Sequence, residues 1–72
     1  MSSIHSADYQ AFLKRFRQAR IEAKLSQVQV AQKLRKPQSF VSKCESGERR
    51  VDFAELRRFA KFYGKPLSYF ET

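Results

Sequence analysis

Apolar and small residues recur at steps of three and four along the first third of the chain. Tyr9, Phe12, Leu13, Phe16, Ala19 and Ala23 form this set, and Lys14, Arg15, Arg17 and Glu22 fall between them. At about 100° per residue the set gathers on one side of a helix. The spacing predicts a first amphipathic helix with Ser6 as its N-cap, ending near Lys24. In "LSQVQVAQKL", Ser26 followed three residues later by Gln29 makes a capping box, and Leu25 stands where a hydrophobic staple belongs. A second short helix over about 27–34 follows, with Val28, Ala31 and Leu34 expected on its inner side.

Only Arg35, Lys36 and Pro37 separate it from the next periodic segment, "QSFVSKCES". Proline fits the first turn of a helix, where its missing N–H is not needed, so Pro37 marks a start. By angle, Val41 and Cys44 fall on one side with Phe40 at the margin, while Gln38, Ser39, Ser42, Lys43 and Ser46 fall on the other. Gly47 is placed to close this third helix, and a basic turn, Glu48-Arg49-Arg50, follows. Asp52 with Glu55 caps a fourth helix carrying Phe53, Leu56, Phe59, Ala60 and Tyr63, which Gly64 ends. Pro66 opens one last turn with Leu67, Phe70 and, beside them, Tyr69. No segment alternates as a strand does, and no internal repeat or linker is visible. The expectation is an all-α bundle of five short helices: residues 1–8 form a partly flexible N-terminal segment and residues 9–70 the domain.

Charge narrows the function. Fifteen Lys and Arg against seven Asp and Glu give a formal net charge of +8 in 72 residues, a field suited to polyanions, nucleic acid first and an anionic membrane second. No run approaches the roughly 18 apolar residues of a spanning helix, and the polar "MSSIHSAD" start lacks the apolar core of a secretory signal, so a cytoplasmic protein is expected. The single Cys, Cys44, lies on the apolar side of its helix and reads as a core residue. A nucleophile there would need a base, and the only His is His5, far off in the N-terminal segment. With no clustered ligands and no Gly-rich phosphate loop, no metal, cofactor, small-molecule effector or enzymatic activity is expected.

Two short helices joined by a tight turn, the second opened by Pro and ended by Gly, outline a helix-turn-helix. The outward face of its second helix bears Gln38, Ser39, Ser42 and Lys43, side chains able to reach base edges or phosphates. The segment "LSQVQVAQKLRKPQSFVSKCESGERR" resembles the Cro/C1-type (Xre) helix-turn-helix family of bacterial and phage transcriptional regulators. The likeness rests on Ser26-Gln27, Ala31, Gln38-Ser39, Val41-Ser42-Lys43 and Glu45-x-Gly47, and extends over about residues 9–70. It implies a compact, lambda-repressor-like, DNA-binding domain that reads the major groove of double-stranded DNA with the helix at about 38–46. It further implies that Gln38, Ser39 and Lys43 face bases, that Ser42 serves base or phosphate, and that Gln27, Lys36 and the Arg49-Arg50 turn hold phosphates. Arg20 and Glu45 stand where look-alike members pair the first helix to the third; the alternative for Arg20 is a phosphate contact.

Two positions depart from the family pattern. Arg35 occupies the turn position often held by Gly, so it bears positive φ or the turn differs. Phe40 replaces a smaller polar residue, and its ring rests on the phosphate backbone or on the second helix. The aromatic group Phe59, Phe62, Tyr63, Tyr69 and Phe70 is core by spacing, with part of it expected at the surface as a homodimer patch suited to a palindromic operator. The expected function is a small prokaryotic or phage repressor. The rival is an antitoxin or transcriptional adaptor of the same fold acting through protein contacts, which an exposed aromatic C-terminal patch would favour.

Overall fold

Helix starts in this chain are written in side chains that accept backbone hydrogen bonds. The computed structural model describes residues 6–71; His5 and most of the N-terminal segment lie outside the described residues. Helix α1 (Ala7–Glu22) opens with Ser6 Oγ accepting from Tyr9 N at 3.2 Å, so Ala7 and Asp8 already form its first turn. Helix α2 (Gln27–Leu34) carries a complete capping box: Ser26 Oγ accepts from Gln29 N at 3.1 Å, and Gln29 Oε1 accepts from Ser26 N at 2.8 Å. Helix α3 (Gln38–Ser46) begins after Pro37 with no side-chain cap. Helix α4 (Phe53–Tyr63) has a second capping box built by Asp52 and Glu55. The expected fifth helix is a single 3-10 turn, η1 (Leu67–Phe70).

The helix ends share one device, a residue in the left-handed region that turns the chain out of the helix. The two glycines hold it after α3 and α4, with φ of 86° at Gly47 and 66° at Gly64. Lys24 (φ 60°) and Arg35 (φ 57°) hold it after α1 and α2. Arg35 therefore adopts the strained conformation foreseen for a non-glycine turn, and its N–H bonds back to Gln32 O while Lys36 N bonds to Ala31 O. Lys24 does the same without any glycine-like signal in the sequence.

The helices enclose one core. Phe16 of α1 is fully buried and meets Phe59 of α4 edge to face, ring centroids 4.7 Å apart. Tyr63 and Phe70 close on Phe16 from the far side, and Val30, Ala31, Val41 and Cys44 bring α2 and α3 onto the same centre. Cys44 is buried as expected, and burial raises its thiol pKa, which keeps it protonated and inert. Two expectations change. The inner face of α2 is Val30 and Ala31, with Val28 exposed, because those two are the residues of α2 that enter the shared core. Phe53, at the first position of α4, is 65% exposed because it lies beyond the end of the core. The aromatic group is also more internal than expected: Phe59, Tyr63 and Phe70 are buried, and Phe62 and Tyr69 half-buried. Only Phe62 and Tyr69 of the group keep exposed edges.

One buried ion pair crosses this apolar interior. Glu45 of α3 has a side chain only 1% exposed and accepts from Arg20 Nε at 2.6 Å and Arg20 Nη2 at 3.1 Å. Arg20 Nη1 donates to Leu25 O at 2.9 Å, so the guanidinium also holds the α1–α2 connection. The residue-by-residue expectation of an α1–α3 tie is met in this geometry.

Removing one partner leaves a buried charge unpaired, which costs about 3–5 kcal/mol. Glu45→Ala is expected to lower the melting temperature, followed by circular dichroism, by at least about 10 °C in a domain of this size. At the α2 end the signs should oppose: Arg35→Gly is neutral to stabilising by up to about 1 kcal/mol, since glycine removes left-handed strain. The exposed, helix-interior Gln32→Gly should lose about 1 kcal/mol. Chemical denaturation of the two variants checks the contrast.

Candidate nucleic-acid interface

The α2–turn–α3 unit is two short helices whose second begins on Pro37 and ends at Gly47. Val41 and Cys44 anchor α3 to the core from one side, which fixes the opposite side to solvent. On that opposite side Gln38, Ser39, Ser42 and Lys43 are all exposed. The structure brings these four together on one face, as the angular spacing required. Pro37 supplies no side-chain cap, and Phe40 N bonds back to Pro37 O at 3.0 Å, so the amides of Gln38 and Ser39 are the ones left uncapped at the start of α3.

Gln38 is not simply a loose surface side chain. Its Nε2 donates to Gln27 Oε1 at 3.3 Å, and Gln27 Nε2 donates in turn to Glu45 Oε1 at 3.0 Å. A continuous chain therefore runs from Arg20 through Glu45 and Gln27 to Gln38, linking the buried ion pair to the outer surface. Gln27, expected at a phosphate, is the connector between α2 and α3; one of its amide hydrogens is left for an outside acceptor. Lys43 lies 3.8 Å from Glu48 with both side chains more than half exposed, a screened contact that leaves the ammonium available.

The basic turn is organised differently from the sequence expectation. Arg49, assigned there to a phosphate, forms a two-pronged pair with Glu55: Nη1 to Oε1 at 2.8 Å and Nη2 to Oε2 at 2.7 Å. It also donates to Arg50 O at 2.9 Å and lies 4.7 Å over the Phe40 ring. Glu55 had been read only as a cap for α4, yet it also commits Arg49 to an internal latch between α3 and α4. That pairing depresses the Glu55 carboxyl below its ordinary value. Phe40 lies half-buried against the core, with Lys36 Nζ 5.4 Å over its ring and Arg49 over it as well, a platform for two cations. Lys36 itself stays exposed beside the start of α3.

Arg50 lies 4.4 Å over the Tyr9 ring, and Tyr9 Oη accepts from Val51 N at 3.1 Å. Tyr9, placed by its spacing in the core of α1, thus also secures the turn that follows α3. Nothing in the local sequence could announce a contact 42 positions away. Among the described residues no group of His, Cys, Asp and Glu is arranged to hold a metal ion, and no helix is long and apolar enough to cross a membrane.

The surface is thus a short helix with a polar, uncapped N-terminal half, flanked by cations and held by a buried carboxylate. That is a geometry for lying against a polyanion with a patterned edge. The HTH_3 helix-turn-helix family model matches residues 16–70, which takes in α2, the turn, α3, all of α4 and η1. No curated protein matches the chain. The chain belongs to the Cro/C1-type helix-turn-helix family of DNA-binding transcriptional regulators.

Proposed function

We propose that this domain is a small cytoplasmic repressor of prokaryotic or phage type that binds double-stranded DNA sequence-specifically, with α3 in the major groove. The observation that carries the reading is the tether on Gln38. A glutamine amide recognises adenine by donating one N–H to N7 and accepting from N6–H with its oxygen. Nε2 carries two hydrogens, so one can stay on Gln27 while the other, with Oε1, meets the base. Held this way, the side chain loses less rotamer freedom on binding than a loose glutamine would.

Ser39, Ser42 and Lys43 complete the base-facing set, and Lys36, Arg50 and the first-turn amides of α3 take phosphates. Arg49 acts by holding the loop, with its latch to Glu55 setting the position of Arg50. Repression follows by occupancy of the site. Pairing of two copies on a palindromic site would set two α3 helices about 34 Å apart, one helical turn of DNA. Leu67, at 38% exposure, with the edges of Phe62 and Tyr69, is the apolar surface that supports such pairing.

Selection of bound duplexes from a random pool tests the reading. The wild type is expected to yield a motif containing adenine, and Gln38→Ala to lose preference at that base by about 1–3 kcal/mol while keeping the salt dependence. The absence of a motif, or a motif unchanged by Gln38→Ala, would contradict direct readout by α3.

A further inference from the structure

Some cations of this protein are matched to a carboxylate and others are not. Arg20 and Arg17 face Glu45, Lys43 faces Glu48, Arg49 faces Glu55 and Lys65 faces Glu22. These pairs draw on the carboxylates of α1, α3, the turn after α3 and the first turn of α4. Unpaired cations occur elsewhere too, but residues 56–70 differ in carrying four cations and no Asp or Glu. Three of the four, Arg57, Arg58 and Lys61, lie on α4, are exposed, and form no ion pair among the described residues. Together with Ala54, one turn earlier, they border a single open depression on the outer side of α4. The small Ala54 side chain leaves that depression unfilled.

Position gives this basic face its meaning. Arg58 also lines a second cleft, of about 110 Å³, whose other walls include Lys36 and Phe40. Lys36 and Phe40 belong to the turn and first residues of α3, so the α4 cations continue the surface that begins at the reading helix. Glu55, the one carboxylate in that cleft, is neutralised by Arg49. From Lys36 through Arg58 to Arg57 and Lys61 the surface therefore offers positive charge with no free negative group between.

From this continuity we infer that the outer face of α4 is a second phosphate-binding surface, which takes the sugar–phosphate backbone of the same duplex beyond the bases met by α3. Arg57, Arg58 and Lys61 hold flanking phosphates, add to affinity and read no sequence. The inference rests on the DNA-binding reading above. Charge complementarity favours a nucleic acid backbone as the occupant: three cations and Ala54 line the depression, and Phe53 at its N-terminal end is a single exposed ring without further apolar side chains around it in that lining.

Affinity for a mixed-sequence duplex of about three helical turns, measured by fluorescence anisotropy across a range of salt concentrations, tests it. Each phosphate contact contributes about 0.9 to the slope of log affinity against log salt. Arg57→Gln/Arg58→Gln/Lys61→Gln should therefore reduce the slope by about 2 or more, while the random-pool motif stays as in the wild type. The charge-matched control Lys14→Gln/Arg15→Gln/Lys24→Gln, on and after α1, should reduce it by less than about 1. Circular dichroism establishes that both variants fold. Equal reductions in the two variants overturn the inference in favour of a general charge effect. An unchanged slope in the α4 variant also overturns it, and if binding of polyglutamate is lost at the same time, the face belongs to an acidic protein. A wild type with no salt-sensitive duplex binding would defeat the DNA-binding reading itself, a result distinct from these.

Discussion

The Arg20–Glu45 pair is the interaction on which the rest of the arrangement depends. A carboxylate 1% exposed is tolerable only if its oxygens are satisfied, and Glu45 receives three donors: Arg20 Nε, Arg20 Nη2 and Gln27 Nε2. Each donor comes from a different helix from Glu45 itself. Satisfying one charge thus fixes α1, α2 and α3 against each other, and Arg20 Nη1 on Leu25 O adds the connection between the first two. An apolar contact of similar area would allow these helices to slide, because dispersion is nearly indifferent to small shifts, whereas charged hydrogen bonds are directional. In a chain of 72 residues with a modest core, that directionality sets the angle at which α3 is presented.

The same network links stability to the surface. Gln27 passes the constraint from Glu45 to Gln38, and the Arg49–Glu55 latch fixes the loop at the other end of α3. Helix α3 is therefore held at its start by a side-chain amide, and the loop that follows it by an ion pair. Arg20 and Arg49, matched to carboxylates, build this frame, while Lys36 at the start of α3 and the three cations on α4 are exposed without such a partner.

Much of this was legible in the sequence, and the failures have physical reasons. Caps were plain because Ser6, Ser26 and Asp52 act on amides three residues away, within the reach of local pattern. The face of α3 was plain because nine residues with two inward anchors leave only one outward side. In the eight-residue α2, Ala31 and Leu34 are compatible with either Val28 or Val30 as their companion, so the pattern could not choose which valine the core would take. Phe53 kept helical spacing yet projects past the core, a matter of where the helix begins relative to its neighbours. The fate of Arg49 was beyond sequence, since adjacent arginines look alike until the chain leaves Gly47 at φ 86° and carries one of them to Glu55. The Arg20–Glu45 tie, 25 positions apart, came from family resemblance and not from any local signal.

The most direct test of the central claim, that the buried pair presents the outward side of α3 to DNA, is a map of amide chemical shifts in labelled protein titrated with a mixed-sequence duplex. The account predicts that the largest changes fall at Gln38 to Lys43 and at Lys36, with Gln27 following through its bond to Gln38. Changes confined to the α1 and η1 side, with α3 silent, would contradict it.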